Sequence, residues 1–167
     1  MNKIALGGGC HWCTEAVFQH LKGVELVEQG YVASTGINAS FSEAVIVTFD
    51  ETIISLKTLV EVHLYTHKSA VYHSMRDKYR SAVYVFSQEQ KAECISILKM
   101  LQKTFKIQLI TKILEFSKFR PSRESIQNYY QNNPNKPFCK TFINPKLQLI
   151  FSQYSEYINT NNLKQLI

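Results

Sequence analysis

Apolar residues along this chain keep two rhythms, short runs of the strand kind and longer stretches at helical spacing. Ile4-Ala5-Leu6 is the first short run and leads into Gly7-Gly8-Gly9. Val17, Phe18 and Leu21 then share one helix face, with Trp12 just upstream and Gly23 closing the helix. A second strand spans residues 24–32, and residues 33–40 form a loop of small and polar side chains. Residues 43–49 make a third strand, apolar on both faces and so predicted to be central in its sheet. Ser55 is placed to cap a second helix carrying Leu56, Leu59, Val60, His63 and Leu64. Residues 69–78 are irregular, and residues 79–86 are strand-like. Ser87-Gln88-Glu89-Gln90 matches a capping box and opens a third helix to about Lys103, after which residues 107–116 read as a further strand.

The order is β-α-β-β-α-β followed by one more helix and strand. That is the split βαβ plan of a ferredoxin-like α/β sandwich, α+β in class. From about Ser117 the chain turns rich in Asn, Pro, Lys and Tyr, a composition that predicts a segment wrapping the domain, with no second core. Residues 1–145 are read as one α/β domain and residues 146–167 as a C-terminal tail, packed on it or partly disordered. Leu147, Leu149, Ile150, Tyr154 and Ile158 predict some helix there.

The 167 residues suit one domain with a real core, and 45% hydrophobic against 19% charged residues is a globular balance. The net charge of +6 is scattered, without a basic run or an interleaved aromatic ladder, so it predicts a solvated surface and no nucleic-acid partner. No apolar run approaches the ~20 residues of a membrane span, and the opening residues lack the apolar core of a secretory leader. Four cysteines are too few for a disulfide scaffold. A cytoplasmic monomer with a redox-active thiol is expected.

Cys10 is the candidate thiol. It falls at or just before the first turn of the first helix, where unpaired N–H groups and the helix dipole favour a thiolate. The glycines before it are expected to let the backbone turn sharply and to leave the sulfur uncovered. Cys10-His11-Trp12-Cys13 is open to other readings. It is also half of a zinc site, for which His63 and His67, four apart on a helix, would complete the set with Cys10 and Cys13. It is equally the signature of a general thiol–disulfide oxidoreductase. Cys94, at helical spacing from Ile97, Leu98 and Leu101, is a core residue.

Gly8-Gly9-Cys10-His11-Trp12-Cys13-Thr14-Glu15 resembles the Gly-Cys-Phe-Trp-x-x-Glu motif of the class A peptide-methionine sulfoxide reductases. Gly30-Tyr31, Ser42-Glu43-Ala44-Val45 and Tyr79-Arg80-Ser81-Ala82-Val83-Tyr84 resemble later motifs of that family in order and spacing. Tyr130-Gln131, Pro134 and Cys139 resemble its tyrosine-rich run and late cysteine. Together these cover roughly residues 3–147.

The resemblance implies thiol-dependent reduction of methionine S-sulfoxide, free or protein-bound, without a metal or cofactor. Cys10 would be the nucleophile and Glu43 the proton donor, a carboxyl whose burial favours the protonated form. On local sequence alone Glu43 is equally a solvated strand-edge carboxylate. Tyr79 would donate a second hydrogen bond, though a buried aromatic role suits it as well. Trp12, His11, Tyr31 and Ser74 would contact substrate, with Trp12 on the S-methyl group. The Cys10 sulfenic acid would condense with a second thiol to a disulfide recycled by a thioredoxin-like reductant. Cys139 matches the resolving position, in a Pro/Asn-rich loop expected to swing in, and Cys13 is the other candidate. Three departures stand out. His11 replaces the family's phenylalanine, the loop between Tyr31 and Glu43 is about ten residues shorter, and Ser74 replaces an aspartate.

Overall fold

In the computed structural model the structure describes residues 1–159, so residues 160–167 of the expected tail lie outside the described residues. Six strands form one sheet in the order β5-β4-β1-β3-β2-β6. They are β1 (Asn2–Gly7), β2 (Val24–Ala33), β3 (Ser42–Phe49), β4 (Ala82–Val85), β5 (Lys112–Glu115) and β6 (Lys118–Pro121). The inner four keep the predicted β-α-β-β-α-β connection, with α1 (His11–Gln19) and α2 (Leu56–Tyr65) as its helices. The extra helix, α3 (Gln88–Gln102), leads to β5, which pairs parallel to β4.

Alternation along the strands decides what each face touches. Ile4 and Leu6 of β1, Val45, Val47 and Phe49 of β3, and Val83 and Val85 of β4 join the main core with the helices. Ala5, Ala44, Ile46, Ala82 and Tyr84 face the other way, into a smaller cluster covered by Leu114, Phe116 and Phe119. β3 is buried on both faces, as its composition predicts, and lies between β1 and β2.

Two helices start where expected. The Ser55 hydroxyl accepts from the Thr58 N–H at 3.1 Å, and the Ser87 hydroxyl accepts from the Gln90 N–H at the same distance. Other boundaries differ, the strand-like run of residues 79–86 narrowing to β4. The strand expected over residues 107–116 is confined to β5, because Gln102 holds the preceding segment through Ile107 O and Leu109 N. β6 was not foreseen, since Lys118-Phe119-Arg120-Pro121 is short and polar. As an edge strand it tolerates a proline and pairs antiparallel to β2.

Beyond β6 a single turn, α4 (Tyr129–Asn132), a π-helical turn (Cys139–Ile143) and α5 (Asn144–Gln153) pack against α1. Glu15 of α1 anchors this segment. It is buried and accepts from Gln29 Nε2 at 2.9 Å and from the backbone N–H groups of Asn128 and Tyr129 at 3.0 and 3.1 Å. No helix among the described residues is long and apolar enough to cross a membrane.

Candidate active site

β3 runs antiparallel to β1, so the start of β3 meets the end of β1, with Gly7 opposite Ala44. Glu43 therefore reaches the glycine turn that carries Cys10. β2 completes the corner, with Tyr31 opposite Glu43. Glu43 shares the alternation of Val45 and Val47, which places its carboxyl on the helix side of the sheet.

Cys10 caps α1, its carbonyl accepting from the N–H groups of Cys13 and Thr14 at 3.1 and 3.2 Å. Its thiol pKa is lowered, first by the Cys13 side chain and then by the backbone N–H groups of Trp12 and Cys13. Burial and the nearby Glu43 work against this. The Cys13 pKa is pushed far upward, chiefly because its thiol serves the Cys10 sulfur, and then by burial. The preceding glycines act differently from the expected sharp turn, since none of the three has a positive φ. They admit close neighbours. A Cβ on Gly8 would fall 2.3 Å from the His67 ring, and one on Gly7 would fall 2.9 Å from the Glu43 carbonyl.

A cavity of about 360 Å³ opens beside the thiol, with Cys10, Cys13, Tyr79, Met75, Phe138 and Lys146 on its walls. An apolar groove of about 330 Å³ between α3 and β5 carries no thiol or carboxyl. Tyr79 is the one residue of the later motifs on the cavity wall, with the Lys78 ammonium 5.1 Å from its ring centre. Burial raises its phenol pKa.

Trp12, His11, Tyr31 and Ser74 do not line this cavity, and neither do Glu43 and Cys139. Trp12 stacks on Tyr129 at 4.0 Å between ring centres and meets the edge of Phe138 at 5.2 Å, so its apolar surface reaches the cavity through Phe138. Ser74 is exposed, while its neighbours His73 and Met75 stand on the wall. His11 is buried, its ring edge-on to Tyr31 at 5.2 Å. His11 Nδ1 lies 2.8 Å from the Gly30 carbonyl, and Nε2 lies 3.0 Å from Glu43 Oε1. Lys78 Nζ stands 3.9 Å from Glu43 Oε2.

Cys139 is fully buried, and it stands at the start of a π-helical turn where the Pro/Asn-rich setting predicts a loop. Burial raises its pKa. Cys94 is buried as expected, and its pKa is pushed up to about 12 by burial.

His63 and His67 stack at 4.2 Å between ring centres, but His67 is bonded to the His63 carbonyl and to Ser81 Oγ. No group of three potential metal ligands occurs among the described residues.

Two residues that sequence reasoning passed over shape the site. Arg76 donates to the carbonyls of Gly8 and Tyr79, both at 2.9 Å, and so ties the irregular segment to the glycine turn. Lys146 of α5 donates to the Thr66 carbonyl and lines the cavity, and burial lowers its pKa. Only the contacts made on folding distinguish these two from the other cations of the sequence.

A thiol held toward its thiolate at a helix N-terminus, with a second thiol one turn on and a buried carboxyl beside it, defines a cysteine-based redox site. The chain belongs to the peptide methionine sulfoxide reductase family, whose model matches residues 2–158. It is 34% identical over 165 residues to the peptide methionine sulfoxide reductase MsrA of Deinococcus radiodurans, covering 89% of this chain and 80% of that one. It is 30% identical over 168 residues to the enzyme of the same name from Acinetobacter baumannii strain SDF, covering 92% and 96%. Its fold is similar to that of Saccharomyces cerevisiae Mxr1 in reduced form, with TM-score 0.72 and 23% identity over 84% of this chain and 90% of that one. Mxr1 in complex with Trx2 aligns with TM-score 0.61 at 22% identity, over 77% and 84%.

Proposed function

We propose that this protein reduces methionine S-sulfoxide, free or within a protein, with Cys10 as the nucleophile. The observation that carries this reading is the Cys10 thiol, on the wall of a cavity at the head of α1, lowered in pKa and within electrostatic reach of the buried Glu43 behind that wall. Membership of the family supports the substrate class.

The Cys10 thiolate attacks the electrophilic sulfur of the sulfoxide. Glu43 gives its proton to the sulfoxide oxygen, and Tyr79 on the cavity wall supplies a second hydrogen bond to it. The substrate's S–O bond breaks as the hydroxyl passes to Cys10, leaving methionine and a Cys10 sulfenic acid. Phe138 and Met75 offer apolar surface to the S-methyl group, with Trp12 behind Phe138.

Cys13 already faces Cys10, so we assign it the attack on the sulfenic acid, which forms the Cys10–Cys13 disulfide and releases water. Once Cys10 is oxidised, the thiolate that raises the Cys13 pKa is gone, and Cys13 becomes the better nucleophile. Cys139 lies close enough to act on Cys13 electrostatically and takes the disulfide over by exchange. A thioredoxin-like dithiol then reduces it. The complex of the related fold Mxr1 with Trx2 supports that partner. We further read the protein as a cytoplasmic monomer, a reducing setting in which its cysteines are returned to thiols after each turnover.

Single turnover without reductant tests the reading. In a variant lacking Cys13 and Cys139, one equivalent of methionine should form per chain and a sulfenic-acid probe should label Cys10. A general thiol–disulfide oxidoreductase would oxidise a thioredoxin without any dependence on sulfoxide, and that result would replace this reading.

A further inference from the structure

His11 occupies the first position of α1, buried and next in sequence to Cys10, and its two ring nitrogens have different partners. Nδ1 faces the Gly30 carbonyl at 2.8 Å. A carbonyl only accepts, so Nδ1 carries a hydrogen in every state of the ring. Nε2 faces Glu43 Oε1 at 3.0 Å, with both side chains almost wholly buried. If neither group held a proton, two lone pairs would oppose each other at hydrogen-bond distance without water to separate them. If both held one, a buried imidazolium would face a neutral carboxyl with the Lys78 ammonium close by. The geometry therefore favours one proton between Nε2 and Oε1.

We propose that His11 is a positioning residue that holds, jointly with Glu43, the proton delivered to the sulfoxide oxygen. The inference rests on the reductase reading above and extends it to a residue that does not line the cavity. The Gly30 hydrogen bond and the Tyr31 ring edge fix the plane of the imidazole. Nε2 then fixes Oε1, while the other oxygen of Glu43 is buried without a hydrogen-bond partner and has only the Lys78 ammonium 3.9 Å away.

When the substrate oxygen takes the proton, the pair passes to a carboxylate beside a neutral imidazole. Lys78, 3.9 Å from Oε2, offsets part of the new charge. The charged and titratable groups around the pair are Lys78 and Tyr79 from the irregular segment, Cys10 from α1, and Tyr31 from β2. Arg120 of β6 lies over the Tyr31 ring at 4.9 Å. Burial disfavours a free imidazolium at His11, while Gly30 and Glu43 act in the opposite direction.

The test is the pH profile of sulfenic-acid formation in single turnover, for wild type, His11→Gln, His11→Phe and Glu43→Gln. A shared proton leaves at a higher pH than the proton of either group alone, because two sites and their mutual hydrogen bond hold it. The wild-type rate should fall as pH rises past that point. In His11→Gln and His11→Phe the fall should move to lower pH by about one unit or more, with near wild-type rates only on the acid side. Glu43→Gln should be slow throughout. His11 variants slowed by one constant factor at all pH values, or unchanged, would overturn the inference and leave the reductase reading intact. A wild type that reduces no sulfoxide would remove the reading itself.

Nitrogen NMR of the wild-type imidazole decides the inference without any variant or turnover. Nδ1 should carry its hydrogen across the pH range, and Nε2 should report the shared proton. A ring protonated at Nε2 alone would overturn it.

Discussion

Cys13 presents its thiol to the sulfur of Cys10, and this contact lowers the Cys10 pKa more than either backbone N–H group does. Removing it should return Cys10 toward an ordinary thiol. Cys13→Ala should shift the midpoint of the alkylation rate of Cys10 against pH upward by about one unit. Cys13→Ser keeps a hydroxyl donor and should shift it less. The measurement is iodoacetamide labelling of Cys10 over a pH series, read by peptide mass. Equal midpoints in all three proteins would place the origin of the lowered pKa in the helix N-terminus alone.

The order of thiol steps follows from the same contact and from the burial of Cys139. After one turnover without reductant, quenched early, the linked peptides should be Cys10–Cys13, with Cys13–Cys139 appearing later. In Cys13→Ser the Cys10 sulfenic acid should persist, because Cys139 must first leave its buried turn. Rapid formation of Cys10–Cys139 in that variant would show that the turn opens readily and that Cys139 attacks directly.

Besides the bond its carbonyl makes to His11, Gly30 has a packing role. A Cβ there would sit 2.3 Å from the Arg120 carbonyl and 2.6 Å from the Phe119 ring, so Gly30→Ala forces β6 away from β2. Overpacking of this kind typically costs ~1–3 kcal/mol. Gly36, at φ +60° with open space around it, has only its backbone conformation at stake, and Gly36→Ala should cost about 1–2 kcal/mol. Chemical denaturation of the two variants compares these costs. A Gly30→Ala protein as stable as wild type would mean that β6 yields freely.

Much of the fold and the seed of the site were legible from local patterns. The glycine turn before an amphipathic helix located Cys10, and the doubly apolar run of residues 43–49 marked the central strand that brings Glu43 to it. Two hydroxyl caps announced the starts of α2 and α3. What escaped depends on contacts between distant segments. Nothing near Lys118 announces a strand until β2 offers an edge to pair with. Arg76 looks like any surface cation until it reaches Gly8, 68 residues earlier. His11 presented itself as a replaced aromatic at a substrate wall. Its meeting with Glu43 needs the antiparallel register of β1 and β3, which residue spacing alone does not specify. Cys139 sits in a sequence rich in Pro and Asn, a composition that suggests exposure, yet packing against α1 buries it.

The central claim is that Cys10 reduces the sulfur of an S-sulfoxide. Its most direct test is turnover of the S and R epimers of a methionine sulfoxide substrate, with a dithiol reductant present, by wild type and Cys10→Ser. Wild type should consume the S epimer and leave the R epimer, and a Cys10→Ser protein of unchanged fold should consume neither. Folded wild type that leaves the S epimer untouched, or Cys10→Ser that still reduces it, would contradict the account.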